Sequence, residues 1–382
     1  MKVLIAVDSF KGSVSSIEAS KAIAKGIRNV YLDADIVLLP LADGGEGTVE
    51  CLVHATSGRM VSQEVTGPLG EKVEAVYGLV EGGRTAVIEV AAACGLPLVP
   101  KDRRNPEFTT TFGVGELIKD AILQGCREFI IGLGGSATND AGIGMLQALG
   151  FQFKDAVGDE VGFGGRSLTE ICVIDSSQVM EELNECTFFV ACDVDNPLYG
   201  PDGAAYIYGP QKGASEEVVL KLDSGLRFFA ELVQEKMGRD IHSFSGAGAA
   251  GGLGAAFSAF LEGSLQPGIE LIFGKIHIAE KMKGMDFVIT GEGRLDAQTS
   301  MGKAPSGVAR LAARHQISTI AFAGSVSGDL SGLHKLGMTS YFPILEAPGS
   351  LEEAMESDRT LANLERTAEQ VFRLIRSVEG KK

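Results

Sequence analysis

Short apolar runs recur along the chain, and each is followed by glycine or aspartate and then by a helical pattern. Apolar runs without polar alternation are typical of strands buried on both faces, and intervening helices favour parallel pairing of those strands. The pattern predicts strands at Val3–Val7, Ile36–Leu39, Phe129–Ile131, Phe188–Ala191, Phe287–Ile289 and Thr319–Phe322. It predicts helices near residues 15–30, 113–124, 140–149, 216–236, 303–315 and 351–378. The chain is therefore expected to be an α/β protein with a parallel sheet.

Residues 58–90 break this pattern, because polar and apolar residues alternate there between Gly-Pro and Gly-Gly turns. Such alternation predicts antiparallel hairpins. The strand–helix pattern returns after about residue 285. We therefore expect a doubly wound α/β domain made of residues 1–62 plus 286–382, with an inserted α/β domain at 63–285 that contains a mixed sheet.

Glycine is unusually frequent, at 50 of 382 residues, which is nearly twice the usual share of about 7%. The glycines cluster at Gly132–Gly135, Gly162–Gly165 and Gly246–Gly254 rather than repeating at a fixed period. Clusters of this kind favour loops in which the backbone closely approaches another group.

Charge and cysteine content narrow the functional classes. The net charge of −16 and pI near 4.9 argue against a nucleic-acid-binding protein, which needs a basic face. The six cysteines form no C-x-x-C pair and are interpreted as free thiols in a reducing compartment. No apolar run suits a signal peptide or approaches the ~20 residues of a membrane span. The expected location is the cytoplasm, without membrane attachment.

Ligands of open α/β sheets bind beyond the carboxyl ends of the strands, so the polar residues at those ends are the candidates for chemistry. The first strand ends in Asp8 and Ser9, and Lys11 follows on the turn. One interpretation is an ordinary helix cap with a surface lysine. The functional alternative makes Lys11 a clamp for phosphate or carboxylate, and Asp8 a base or a metal ligand.

The second predicted strand is followed by a glycine-containing turn that leads into a helix. Free backbone amides there could receive an anion, with Asp43, Gly44, Gly45 and Glu46 as candidate binding residues. Acidic residues at a helix start are equally typical of plain capping.

The segment "GLGGSATND" supplies the richest set of small polar groups, and its candidates are Gly134, Gly135, Ser136, Thr138, Asn139 and Asp140. It fits the G-x-G-x-x-G/A template after a strand, but the acidic residue expected about 20 positions later is not convincing, because Asp155 lies in a polar turn. It is also similar to the phosphate loop of the galactokinase–homoserine kinase–mevalonate kinase superfamily, without the proline that leads into that loop. Both readings share an anion-binding loop.

Asp193 and Asp195 end another apolar strand, two residues apart, with Asn196 beside them. In an extended chain both carboxylates face the same way, and paired carboxylates suit Mg²⁺. The alternative is a solvated turn, which we disfavour because burying such groups is costly. Gln211 and Lys212 follow in a turn and are further candidate binding residues.

Glu292, Arg294 and Lys303 follow the strand at Phe287–Ile289. The planar guanidinium of Arg294 could bind a carboxylate or phosphate through two hydrogen bonds. The segment is no Walker A motif, because alanine stands at 297 and 304, where that motif needs glycine and Ser or Thr. Isolated histidines and the lack of a G-x-S-x-G turn argue against zinc and against a hydrolase triad.

Taken together, these segments resemble the glycerate kinase type I family. The similarity runs through "VLIAVDSFKGSVSS", "PLADGGEGTVE", "GLGGSATNDAGIGMLQALG", "DVDNPLYGPDGAA", "GPQKGA", "GAGAAGGLGAAF" and "TGEGRLDAQTSMGKAPSGVA". The resemblance implies transfer of the γ-phosphoryl of ATP to D-glycerate with Mg²⁺, most often at the 2-hydroxyl. It also implies two α/β domains, one of them flavodoxin-like and discontinuous, with the active site in the cleft between them.

On chemical grounds the catalytic candidates are Asp8, Lys11, Asp193, Arg294 and Lys303, and the metal ligands are Asp193 and Asp195. Arg294 or Lys212 is the expected clamp for the carboxylate of glycerate. Two other classes stay open, a nucleotide-binding regulatory module and a dinucleotide-dependent oxidoreductase. The sequence leaves open the phosphorylated carbon, the nucleotide preference and the oligomeric state, for which a homo-oligomer is one alternative.

Overall fold

The computed structural model describes residues 1–297, 299 and 303–379. The strands are β1 (Lys2–Val7), β2 (Asp35–Leu38), β3 (Arg59–Thr66), β4 (Lys72–Val80), β5 (Thr85–Glu89), β6 (Glu128–Gly132), β7 (Gln152–Lys154), β8 (Val173–Asp175), β9 (Thr187–Ala191), β10 (Ser264–Gln266), β11 (Phe287–Leu295), β12 (Ser318–Val326) and β13 (Met338–Pro343). Part of the "LDAQTSMG" stretch and the last three residues of the predicted 286–382 segment lie outside the described residues.

The α-helices among these residues are α1 (Ser16–Arg28), α2 (Thr48–Thr56), α3 (Ala91–Cys94), α4 (Phe112–Leu123), α5 (Ile143–Ala148), α6 (Ala204–Tyr208), α7 (Glu216–Met237), α8 (Leu253–Leu261), α9 (Gly268–Lys275), α10 (Ile278–Met282), α11 (Ala304–Arg314), α12 (Ser331–Lys335), α13 (Leu351–Ala354) and α14 (Ser357–Glu379). None of the described helices has the length and apolar character needed to cross a membrane.

The chain forms two compact units, the first made of residues 1–43 and 269–382 and the second of residues 44–268. Both crossings differ from the predicted boundaries at 62/63 and 285/286. Helix α2 belongs to the second unit because Val49 and Val53 pack where β4 has no side chain, at Gly78. Helix α9 belongs to the first unit, where Phe273 packs against Gly307 of α11.

The first unit contains a five-stranded sheet in the order β2-β1-β11-β12-β13, in which every neighbouring pair is parallel. Counted within the unit, this is the order 2-1-3-4-5 of flavodoxin-like proteins, and it confirms the predicted doubly wound fold. Strand order reverses between β1 and β11, and ligands of such folds bind at that switch point.

Helices α1 and α14 pack on each other beside this sheet. The approach is close because Gly26 faces the backbone of Glu365, whose carbonyl oxygen would lie 2.1 Å from any added Cβ. Ile23 and Phe372 belong to the buried core beneath the two helices. The predicted helix at 351–378 is two helices, since Ser350 caps α13 and a second helix begins at Ser357.

The second unit contains a six-stranded mixed sheet in the order β10-β9-β6-β5-β4-β3. The pairs β3–β4 and β4–β5 are antiparallel, as the alternation at 58–90 predicts, and the other pairs are parallel. Its core includes Phe129 and Phe188, whose stacked rings lie 4.8 Å apart. The fold is therefore the predicted one, a parallel doubly wound sheet and a separate mixed sheet.

Candidate active site

A cavity of about 420 Å³ opens in the first unit at the carboxyl ends of β1 and β11. Its polar lining combines acids and cations that the sequence singles out, namely Asp8, Ser9, Lys11, Asp43, Glu292, Arg294 and Lys303. Because β1 and β11 are neighbouring parallel strands, the side chains that follow them meet at the same sheet edge. This is the switch point where the fold places its ligands.

Asp8 is the most deeply placed carboxylate of this cavity, with 4% of its surface exposed. Its Oδ1 accepts a hydrogen bond of 2.6 Å from the amide of Ser9. Burial raises the pKa of Asp8 to about 7, and the neighbouring charge of Asp43 adds to the rise. A carboxylate with such a pKa can accept and release a proton near neutral pH.

Lys11 lies on the turn after β1 and is largely exposed. Its Nζ is 3.0 Å from Oδ2 of Asp43, the residue that closes the first segment of this unit. The exposure of Lys11 agrees with the alternative interpretation of a surface lysine. However, both Lys11 and Asp43 line the cavity. The ion pair with Asp43 therefore holds the ammonium group of Lys11 at the cavity.

Glu292 is buried at the end of β11 and is held by its neighbours. Its Oε1 accepts a 2.7 Å hydrogen bond from the hydroxyl of Thr299, and its Oε2 lies 3.7 Å from Nζ of Lys303. Burial raises the pKa of Glu292, while the hydrogen bond and Lys303 oppose the rise. Lys303, which precedes α11, is thereby aimed at the same cavity.

Arg294 has a largely exposed side chain, at 66%. Its Nε lies 3.3 Å from Oδ2 of Asp296, and its Nη2 donates to the hydroxyl of Ser327 at 3.3 Å. The guanidinium lines the cavity and would have to exchange these contacts to bind a ligand carboxylate.

In the second unit, the glycine loop after β6 packs against the segment that begins this unit. A Cβ on Gly132 would meet the carbonyl oxygen of Gly44 at 2.4 Å, and one on Gly134 would lie 3.1 Å from Cα of Gly45. Glycine is required here because two backbones touch. The structure thus brings together two of the predicted anion-binding segments.

The tip of this loop presents its backbone. Among the described residues, the amides of Gly134, Gly135 and Ser136 have no backbone acceptor. Gly135 has φ +76°, a left-handed conformation that suits glycine. Consecutive free amides of this kind form a concave site for anions.

Lys212 lies behind the loop rather than at its mouth. It is 3% exposed, and its Nζ donates to the hydroxyl of Ser136 at 3.1 Å and to the carbonyl of Thr138 at 2.7 Å. Burial lowers the pKa of Lys212 to about 8. The ammonium is therefore directed at the loop itself.

Asp140 ends the loop and is fully buried. Its Oδ2 accepts hydrogen bonds of 2.9 Å from both the amide and the hydroxyl of Thr111. Burial raises the pKa of Asp140, against these hydrogen bonds. Asn139 is equally buried, and neither its Nδ2 nor its Oδ1 has a partner among the described residues. Asp140 holds the loop in place rather than facing solvent.

Asp193 and Asp195 follow β9, and both are exposed. Asp193 accepts a 2.9 Å hydrogen bond from the amide of Gly268, and Asp195 accepts one from the hydroxyl of Ser245. The burial cost that we used against a solvated turn is therefore absent. Asn196 bonds to Tyr208 and to the carbonyl of Asp202.

Two predicted site residues of the second unit remain at its surface. Gln211 is exposed, and Glu46 lies on the turn before α2. Within the described residues, no cluster of three His, Cys, Asp or Glu side chains forms a metal site.

A model of the "Glycerate kinase family" matches residues 3–376. The chain belongs to this family. It is 47% identical to a glycerate kinase of Haemophilus influenzae over 98% of this chain and 99% of the relative. It is 48% identical to a glycerate 2-kinase of Escherichia coli over 93% of both chains. The protein is a kinase.

A solved structure agrees with the fold. A crystal structure from Salmonella typhimurium LT2, assigned as a glycerate kinase 2, superposes with a TM-score of 0.90 and 44% identity. The match covers 100% of this chain and 99% of that chain.

Sequence reasoning missed several residues of the two sites. Thr111 is a buried hydroxyl that holds Asp140. Thr299 belongs to the polar stretch after β11 that the sequence singles out, but its bond to Glu292 was not predicted, because a threonine by itself carries no signal of its partner. It also missed the apolar side of the first-unit cavity, formed by Ile344, Leu345, Leu351, Ala354 and Met355. Those residues lie in a segment without a motif, far along the chain from Asp8.

Proposed function

We propose that this glycerate kinase transfers the γ-phosphoryl of ATP to the 2-hydroxyl of D-glycerate, giving 2-phosphoglycerate and ADP. The observation that carries the proposal is the cavity at the β1–β11 switch point, where the buried carboxyl of Asp8 meets the ammonium groups of Lys11 and Lys303. Phosphoryl transfer needs such positioning and charge stabilisation more than covalent chemistry. The 2-kinase of Escherichia coli at 48% identity supports the choice of hydroxyl.

Asp8 is the proposed base. A carboxylate that orients the attacking hydroxyl and accepts its proton is a recurrent part of kinase sites. With a pKa raised to about 7 by burial, Asp8 is a stronger base than an exposed aspartate, yet it remains largely ionised slightly above neutral pH. The hydroxyl oxygen then attacks the γ-phosphorus, and the bond to the bridging oxygen of ADP breaks.

Lys11 and Lys303 are the proposed cations for the transferred group. The three equatorial oxygens of the phosphoryl group carry charge in the transition state, and fixed positive charges stabilise it. Arg294, with its planar fork of donors, is the proposed partner of the glycerate carboxylate. Lys212 is not proposed for this role, because its ammonium is occupied by Ser136 and Thr138.

The glycine loop of the second unit is proposed to bind phosphate. Its amides at Gly134 to Ser136 are unpaired among the described residues, and amides of this kind bind anions without bringing a mobile charge. The buried bonds of Lys212 and Asp140 fix the loop before the ligand arrives, which reduces the entropy lost on binding.

Mg²⁺ is the proposed metal. No group of three or more His, Cys, Asp or Glu side chains among the described residues could coordinate a metal by itself. Mg²⁺ does not require one, because it binds through one or two carboxylates, waters and substrate phosphates. The exposed carboxylates of Asp193 and Asp195 are hard oxygen donors of this class, so they fit and would hold the ion. When bound, Mg²⁺ supplies neutralisation of charge on the phosphates of ATP.

None of the six cysteines, all of which lie within the described residues, forms a disulfide, which supports a reducing compartment and a cytoplasmic enzyme. The reaction itself is tested by incubating the purified protein with Mg·ATP and D-glycerate and recording the ³¹P and ¹³C NMR spectra of the product. Phosphorus coupling to the C2 carbon is expected. Coupling to C3 alone would refute the regiochemistry, and no glycerate-dependent ADP would refute the proposal.

A further inference from the structure

The cavity of the first unit is larger and more apolar than glycerate requires. Its volume of about 420 Å³ lies in the range of about 300–1,000 Å³ typical of pockets for drug-sized ligands. D-Glycerate has three carbons, and each carries oxygen, so it has no apolar face to offer. The proposed function supplies a second, larger ligand, the nucleotide, and the inference below rests on that function.

The floor of the cavity is bare backbone. Gly293 of β11 and Gly324 of β12 both line it, and they lie between the paired positions Glu292↔Ala323 and Arg294↔Ser325. A Cβ on Gly324 would come within 2.5 Å of the carbonyl oxygen of Gly293. Two side-chain-free positions on adjacent strands leave a flat surface above the sheet.

The wall of the cavity is aliphatic. Leu345 is 44% exposed and Leu351 is 74% exposed, and Met355 lies beside them in the lining. A flat heteroaromatic ring buries such side chains well, because both of its faces are apolar while its edge is polar. The lining also carries Lys11 and Lys303, whose ammonium groups complement the phosphates of a nucleotide.

We propose that this cavity seats the purine base of the nucleotide, with the ring on the Gly293–Gly324 floor and against Leu345, Leu351 and Met355. The phosphate chain extends towards Lys11 and Lys303. Glycerate occupies the polar end at Asp8. The apolar wall thus determines the affinity for the nucleoside part of the donor and contributes nothing to the affinity for glycerate.

The first test uses Gly293→Ala. An added methyl at this position meets nothing closer than 3.6 Å, so the variant should fold while the methyl occupies the floor. We expect calorimetric titration to show ADP binding at least about tenfold weaker, with binding of inorganic tripolyphosphate unchanged. The matched control is Gly274→Ala in α9, where the new methyl has no neighbour within 4 Å and ADP binding should stay as in the wild type.

The second test uses Leu351→Gln, with Leu374→Gln on α14 as its control. Both leucines are largely exposed, at 74% and 62%, but only Leu351 lines the cavity. We expect Leu351→Gln to raise KM for ATP several-fold, by about 1 kcal/mol of lost apolar contact, with kcat and KM for glycerate unchanged. The control should change none of these.

Three outcomes would overturn the inference. They are unchanged ADP binding in folded Gly293→Ala, an equal loss of ADP and tripolyphosphate binding, and a rise in KM for glycerate rather than ATP. A wild-type protein that binds ADP, with this binding weakened in Gly293→Ala, but makes no phosphoglycerate would refute the proposed function and leave the base site standing.

Discussion

The two units place their charged residues in opposite ways. In the first unit, the side chain of Lys11 is 58% exposed and pairs with Asp43 at the edge of a cavity, and Asp8 faces that cavity. In the second unit, Lys212 and Asp140 are buried behind a glycine loop and bond only to protein groups that the structure describes. One unit places its charges at a cavity, and the other uses charge to fix a loop that presents neutral amides.

This difference shows that a charged residue within a motif can serve the fold rather than line a cavity. The ammonium of Lys212 satisfies the hydroxyl of Ser136 and the carbonyl of Thr138, which would otherwise be buried without a donor. The ammonium of Lys11 satisfies no buried group. Removing the first should therefore change the fold and the activity together, and removing the second should change activity alone.

The largest effect is expected from Asp8→Asn, which removes the proposed base of the first unit. Kcat should fall by about a thousandfold, within the range attributed to general-base catalysis, while circular dichroism stays unchanged. Asp33→Asn, at an exposed aspartate of the same unit, is the control and should keep full activity. A fall of less than about threefold would show that Asp8 is not the base.

Asp193→Asn and Asp195→Asn test whether the two exposed carboxylates of the second unit hold the proposed Mg²⁺. Kcat should fall on the order of a hundredfold, about 3 kcal/mol, and the Mg²⁺ concentration for half-maximal rate should rise. Asparagine can still accept the hydrogen bond from Gly268 or Ser245, so the fold should persist.

The control for this pair is Asp159→Asn, at an exposed turn of the second unit, which should change neither kcat nor the Mg²⁺ dependence. Unchanged Mg²⁺ dependence in both Asp193→Asn and Asp195→Asn would show that other carboxylates hold the metal. Asp8 and Asp43 are the next candidates.

Lys212→Met and Lys11→Met separate the two uses of lysine directly. Lys212→Met should lower the free energy of unfolding by about 1–3 kcal/mol, because two buried acceptors lose their donor, and should raise KM for ATP. Lys11→Met should lower kcat and leave the melting temperature unchanged. Lys221→Met on α7, whose lysine pairs with Glu217 at the surface, is the control. Equal melting temperatures for Lys212→Met and wild type would contradict the assignment.

The smallest effect concerns stability as a function of pH. The folded pKa of Asp8 is about 7 against an ordinary value of 3.8, so the folded state holds the proton more tightly than the unfolded chain does. The stability from the protonated form is complete below pH 3.8 and is lost as the pH rises through about 7.

Asp8→Asn should consequently be more stable than the wild type at pH 8, by on the order of 1–3 kcal/mol, and the difference should narrow towards pH 4. Chemical denaturation at several pH values measures it. A difference that does not vary with pH would show that Asp8 titrates normally.

The sequence predicted most of the fold, because uninterrupted apolar runs report buried parallel strands and alternation reports the β3–β4 hairpin. It did not predict where the chain crosses between units. Helix α2 was assigned to the first unit since it follows β2 directly, but its residues Val49 and Val53 find their apolar partners on β4. Side-chain packing, rather than position along the chain, determines the unit to which α2 belongs.

The candidate sites were predicted in part. Strand ends identified Asp8, Glu292 and the glycine loop, because topology fixes where strand ends meet. The direction of a side chain was not predictable, which is why Lys212 was expected as a clamp although its ammonium lies behind the loop. Thr111 and the bond between Thr299 and Glu292 were missed, since a buried hydroxyl has no sequence signature.

The interruption of the first unit has a consequence for synthesis of the chain. Strand β1 lies inside its sheet, between β2 and β11, yet β11 is translated only after the whole second unit. The second unit is continuous in sequence and can fold as soon as it leaves the ribosome. Until then β1 and β2 remain an incomplete sheet with an open apolar edge, the kind of surface that aggregates or recruits chaperones. Residues 1–43 are therefore made before the second unit but reach their native environment after it.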